Sequence, residues 1–248
     1  MTELANIESQ PVTQAHTEHH KSNSEILRDA IIGFADGLTV PFALTAGLSA
    51  AGSSHIVIIG GTAELFAGAI SMGLGAWLAA KTEAKHYFIE EERERKEVRE
   101  MPAAEEEEVY IIFEKYGVAR GSVVTVVEAL KNDEEMWVKF MMDFELQLFR
   151  PTISRAWISA LVMGLTYLLG GLIPMIPYFA LRNVNHALFT SIGITFVLLV
   201  VFGYIKALLT GSKNAAVMGS ILQTVAVGAI AAGTSYGIVR GISKALKA

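Results

Sequence analysis

The chain contains no cysteine, which excludes disulfides, thiolate zinc sites and cysteine nucleophiles together. Any metal it handles must be held by oxygen, imidazole or thioether. A second absence is local: no acidic residue follows Glu145, although eighteen of the 25 in the chain lie between Lys81 and Arg155. A third concerns the start, where MTELANIESQPVTQAHTEHHKSNSE has neither the basic first segment nor the apolar stretch of a cleaved signal. Residues 1–24 are therefore expected to form a disordered cytosolic tail. His16, His19 and His20 within it read as a solvated stretch rather than a ligand set.

What is abundant is apolar sequence, 52% of the chain. Residues 55–80, 156–181 and 214–239 are each long enough to cross a hydrocarbon core of roughly 30 Å, which takes about 20 helical residues. Residues 187–205 make a fourth span, and residues 29–51 a fifth that is interrupted by Asp36 and Pro41. A soluble fold would leave several helices apolar all round with no core large enough to hide them. The expectation is an all-α integral membrane protein. It has transmembrane helices 1–2 in residues 25–85, a cytosolic helical metal-binding domain in 86–150 and transmembrane helices 3–5 in 151–248. With the N-terminus cytosolic, Lys21, Arg28, the twelve basic residues of 81–155, Lys206 and Lys213 fall inside. Arg182, Arg240, Lys244 and Lys247 fall outside, sixteen against four.

Ionisable residues inside a span are expensive and face a pathway or a partner. Two acids qualify, Asp36 and Glu64, and no basic residue stands in any of the five segments to neutralise them. Measured from Arg28 and from Lys81 along antiparallel helices, Asp36 lies about 12 Å deep, Met72 about 13 Å and Glu64 about 25 Å. Carboxylate and thioether therefore match in depth, which predicts a ladder of ligands across the bilayer. Gly60, Glu64, Gly68, Met72, Ala76 and Ala80 recur every four residues, a spacing that lets helices approach closely. Pro41 frees the carbonyl of Gly37 and is expected to kink the helix, offering that oxygen to a cation beside Asp36.

In the acidic block, Glu83 to Glu100 continues the second membrane helix, with Glu91 to Arg95 and Glu92 to Lys96 as favourable i,i+4 pairs. Pro102 stops it. Further helices are expected from Ala103 to Tyr116, from Ser122 to Leu130 and from Asp133 to Phe149, the last with a stripe of Trp137, Phe140, Met141, Phe144 and Leu148. Glu94 with Glu97, Glu105 with Glu108, and Met142 with Glu145 are i,i+3 pairs, each on one helix face. Folded together they make a carboxylate-rich pocket with a thioether, which suits Fe2+ or Mn2+ better than Mg2+ or Ca2+. Met141 lies on the apolar stripe, so Met142 is the better ligand.

Several stretches carry a resemblance. Asp36-Gly-Leu-Thr-Val-Pro-Phe-Ala-Leu44, Gly68-Ala-Ile-Ser-Met-Gly-Leu-Gly75 running on to Leu78-Ala-Ala-Lys81, and Phe140-Met-Met-Asp-Phe-Glu-Leu146 resemble the vacuolar iron transporter family, as do Gly170-Gly-Leu-Ile-Pro174 and Phe202-Gly-Tyr204. The resemblance covers nearly everything from Glu25 onward. It implies a homodimer of five-helix subunits in a vacuolar membrane, with the path between subunits lined by Asp36 and Met72 and assisted by Glu64. It also implies a cytosolic metal set of Glu94, Glu97, Glu105, Glu108, Glu145, Met141 and Met142. Four consecutive glutamates, Glu105 to Glu108, depart from the family's pattern and leave open which of them ligate.

The expected activity is exchange of cytosolic Fe2+, or Mn2+, Zn2+ or Co2+, for protons from an acidic compartment, with protons and metal competing for the same oxygens. The ions are substrates; no prosthetic group and no nucleic-acid partner are expected. Two alternatives differ in class. A passive cation channel would use Asp36 and Glu64 as a filter. A membrane-tethered di-iron oxidase would want two Glu-x-x-His motifs, and the chain offers one, Glu83 to His86.

Overall fold

The computed structural model describes residues 21–50, 52–211 and 215–246, and eight α-helices among them. They are α1 (Lys21–Ser49), α2 (Ser54–Glu100), α3 (Pro102–Glu114), α4 (Arg120–Lys131), α5 (Glu134–Phe144), α6 (Ile153–Ala180), α7 (Val184–Leu209) and α8 (Ala215–Ala245). Five of these, α1, α2, α6, α7 and α8, are long and apolar enough to cross a membrane. α1 begins at Lys21, inside the segment expected to be a tail. The three tail histidines, Lys213 and Lys247 lie outside the described residues.

α6 is the hub of the membrane body, packed along both α1 and α2, while α8 closes against α1 and α7. The α1–α6 contact is backbone on backbone: a Cβ at Gly37 would lie 2.2 Å from the Tyr167 carbonyl oxygen. Small residues let transmembrane helices approach this closely, and any larger side chain at 37 forces them apart. On α2 the close approach is made by Gly73, where a Cβ would meet the Ala160 carbonyl at 2.9 Å, and by Gly164 of α6 against the Ala69 carbonyl at the same distance. The seam thus lies beside the ridge of every fourth residue expected from Gly60 to Ala80. Gly68 of that ridge takes the ring of Tyr167 rather than a neighbouring backbone.

α2 is 47 residues long because nothing interrupts it before Pro102. Ser53 caps its start by accepting from the Ile56 amide at 3.4 Å. Trp77 and Trp157 pair at 5.9 Å, and the Lys81 ammonium lies 5.8 Å from the Trp77 ring centre. Aromatic and lysine side chains together mark a membrane–water boundary, so α2 leaves the apolar layer near Lys81 and continues as a charged rod. Around that rod α3, α4 and α5 fold into a module with its own apolar core of Tyr87, Val98, Val109, Val123, Val127, Trp137, Val138, Met141 and Met142.

Ion pairing on the rod differs from the expected pairs of Glu91 with Arg95 and Glu92 with Lys96. Arg95 reaches across to Glu135 and lies 3.6 Å from Glu134, Arg99 binds Glu134 at 2.7 Å, and Lys96 approaches Glu100 at 3.8 Å. A guanidinium serves two carboxylates on a facing helix better than one on its own. α5 also stops early. Asp133 caps it, but it ends at Phe144, because Gln147 takes a left-handed backbone (φ 54°) and the Leu146 and Leu148 amides turn back onto the carbonyls of Met141 and Met142. Phe144, expected on the apolar stripe, is exposed.

Candidate metal and proton pathway

The site is built in two storeys joined by α2, which runs through both. In the module, α2 contributes Glu94 and Glu97, the first turns of α3 contribute Glu105 and Glu108, and the end of α5 contributes Glu145. Glu94, Glu97 and Glu105 each offer an oxygen within 4.8 Å of the others, and so do Glu105, Glu108 and Glu145. Glu105 belongs to both groups. Glu94 and Glu105 are buried, close enough for their carboxyls to hydrogen-bond, yet Glu94 Oε1 and Glu105 Oε2 have no partner among the described residues. Buried carboxylate oxygens without partners are costly, and a proton or a cation relieves that cost. Burial, and then the carboxylates of Glu108 and Glu97, raises the Glu105 carboxyl above its usual range. Partial burial, then Glu108 and Glu105, pushes Glu145 up to about 7.

The run of four glutamates divides by helical phase. Glu105 and Glu108 face the cluster, whereas Glu106 pairs with Lys131, and Glu107 with Arg120, which also binds Glu114 at 2.6 Å. Glu106→Gln and Glu107→Gln proteins are therefore expected to bind as many divalent ions as the wild type by equilibrium dialysis. Loss of an ion from either would place those side chains among the ligands. Met141 and Met142 are both fully buried in the module core, so the structure gives Met142 no more access than Met141. His86 approaches Glu90 at 3.8 Å, and no histidine joins either carboxylate group among the described residues.

In the membrane body, Glu64 accepts a hydrogen bond from the hydroxyl of Tyr167, a buried residue of α6, and its Oε2 is buried without a partner. Tyr167 also lies within electrostatic reach of Asp36, and Met72 packs against the cluster of Leu65, Tyr167 and Met175. Tyr167 thus joins Glu64 and Met72, two of the residues singled out from sequence, and sequence reasoning missed it because a tyrosine inside a span reads as ordinary packing. Gly37 against its backbone and Gly68 against its ring were the available signal.

Three expectations about this storey change. Asp36 and Met72, matched in depth by residue count, face different neighbours: Asp36 lines a cavity between α1, α7 and α8, while Met72 turns to α6. The Gly37 carbonyl freed by Pro41 points at α6, where a Cβ on Gly171 would lie 2.9 Å from it, so it is packed rather than offered to a cation, and α1 runs through Pro41 unbroken. The segment 187–205 also stops short. α7 continues to Leu209, so Lys206 stands within a span and lines the same cavity as Asp36. A third acid was overlooked as well: Asp29, two helical turns before Asp36, is buried and accepts from Ser159 of α6.

Residues 27–240 match the model of the VIT family. The chain belongs to the vacuolar iron transporter (VIT) family. It is 46% identical over 230 residues to vacuolar iron transporter 1 of Arabidopsis thaliana, an alignment covering 92% of this chain and 91% of that protein. With vacuolar iron transporter 1 of Oryza sativa subsp. japonica it shares 44% identity over 228 residues, covering 92% and 89%. Protein CCC1 of Saccharomyces cerevisiae is 39% identical over 220 residues, covering 87% of this chain and 68% of the yeast protein. Membership of the VIT family makes the chain a transporter and not an enzyme. Both storeys, from Asp36 to Lys206, fall within the matched region.

Proposed function

We propose that this chain carries Fe2+ from the cytosol into an acidic, vacuole-like compartment in exchange for protons, working as a homodimer in the vacuolar membrane. Mn2+ is a second cargo, and Zn2+ and Co2+ bind to the same oxygens. The observation that carries this reading is the pair of carboxylate groups sharing Glu105, one of which takes Glu94 and Glu97 from the same continuous helix that bears Glu64 and Met72. Oxygen ligands of this kind suit borderline divalent ions, and the names of the relatives in rice and Arabidopsis specify iron. In this reading residues 86–150 lie on the cytosolic side, where the field of the glutamates gathers scarce metal. The ion passes to Met72, Glu64 and Asp36 between two subunits, and protons from the acid side displace it, since both compete for the same carboxylates.

The test is Fe2+ uptake into liposomes that hold an acid lumen and a pH dye. Metal influx is expected to alkalinise the lumen, and to slow when the proton gradient is collapsed. Influx that ignores the gradient makes the protein a channel and removes exchange from the mechanism.

A further inference from the structure

The cavity beside Asp36 encloses about 260 Å3 between α1, α7 and α8, and its polar lining is Asp36, Thr39, Lys206, Gln223 and Thr224. Lysines near the end of a membrane helix ordinarily direct the ammonium outward to the interface. Lys206 does the reverse. It sits three residues before the end of α7, yet its Nζ donates to Thr224 Oγ1 at 3.3 Å, nine residues into α8. At about 1.5 Å per residue, Thr224 lies about 13 Å from the start of α8, a depth close to that of Asp36. The Thr224 hydroxyl hydrogen is already committed to the Ser220 carbonyl at 2.7 Å, so its lone pair is what faces the ammonium. Ser220 in turn bonds the Gly203 carbonyl at 3.0 Å, holding α7 and α8 together at this level.

We propose that Lys206 is a tethered counter-cation for Asp36, parked on Thr224 when metal occupies the carboxylate and drawn to Asp36 when the metal leaves. A fixed positive charge in the cavity repels a divalent ion arriving beside it, so it weakens metal binding and speeds release, and it neutralises the carboxylate during the empty return. The inference rests on transport through Asp36, and two substitutions separate it from a merely structural bond between α7 and α8. Lys206→Met removes the competing charge; Thr224→Val removes the parking place and leaves the ammonium to Asp36.

In liposomes, initial Fe2+ uptake by Lys206→Met is expected to half-saturate at about one-tenth of the wild-type concentration, with a lower maximal rate. Thr224→Val is expected to shift half-saturation upward by several-fold, and Lys206→Arg to stay near the wild type. Shifts in the same direction for Lys206→Met and Thr224→Val, or no shift in either, overturn the counter-cation; if Lys206→Met does not fold, Thr224→Val against Lys206→Arg decides by the same sign. Asp36→Ala is run alongside. If it carries Fe2+ like the wild type, the transport path itself is wrong; if it is inactive while the other variants are unshifted, only the role of Lys206 falls.

Discussion

Asp36→Ala protein, reconstituted at wild-type density, is expected to move Fe2+ into liposomes at less than about a tenth of the wild-type rate. A carboxylate inside a span is retained at a cost of several kcal/mol unless it is hydrated, protonated or paired, and Asp36 lines a cavity whose cationic member, Lys206, is bonded to Thr224. Alanine leaves Lys206 as an uncompensated positive charge in the path, so the variant both loses an oxygen ligand and gains an electrostatic barrier. Asp36→Asn keeps the size and the polarity but not the charge, and is expected to fail equally; recovery of transport by asparagine would mean that shape, not charge, matters at this position. Intact folding is checked by the elution profile and the thermal midpoint in detergent. Uptake by Asp36→Ala within twofold of the wild type would end the case for a path through this residue.

The second large effect belongs to Glu105. Because it is the member common to both carboxylate groups, Glu105→Ala is expected to abolish high-affinity binding at both, whereas Glu97→Ala or Glu145→Ala each remove one. Titration calorimetry with Mn2+ on the purified protein reads this directly, and equal stoichiometry for Glu105→Ala and Glu97→Ala would show that the two groups are independent. The same substitution should make the metal-free protein more stable, since it removes a buried carboxylate repelled by Glu108 and Glu97. pH gives a parallel measurement. For Glu145, held near 7 in the folded state against 4.5 ordinarily, the folded form binds the proton more tightly. Its unfavourable contribution is absent below the unfolded value and grows as pH rises through about 7. The metal-free thermal midpoint is thus expected to fall between pH 5 and pH 8, and added Mn2+ to restore it at the upper end. A midpoint that rises over that interval would contradict the clustering of these acids.

Particular residues show how far the sequence could be read. The i,i+3 pairs Glu94 with Glu97 and Glu105 with Glu108 are legible because a helix places such residues on one face whatever surrounds it. That these two faces, with Glu145, meet is a matter of how α3 and α5 fold back on α2. Glu106 and Glu107 stand in the same run, where helical phase turns them off the face of Glu105 and Glu108, and the neighbouring helix supplies Lys131 and Arg120 to hold them there. Glu91 and Arg95 have the favourable local spacing, yet the guanidinium found two carboxylates on α5 instead.

Length and hydropathy by themselves determined the five spans and the acidic insertion after the second, because the bilayer imposes one dimension and one solvent on every crossing helix. Composition likewise restricted the metal ligands to oxygen, imidazole and thioether. Tertiary structure alone decided which side chains share a space: Tyr167 on Glu64, Asp29 on Ser159, and Lys206 turned inward toward Thr224 in the cavity of Asp36. The physical reason is that depth along a helix follows from counting residues, whereas the direction a side chain takes around the axis acquires meaning only from the helix packed against it.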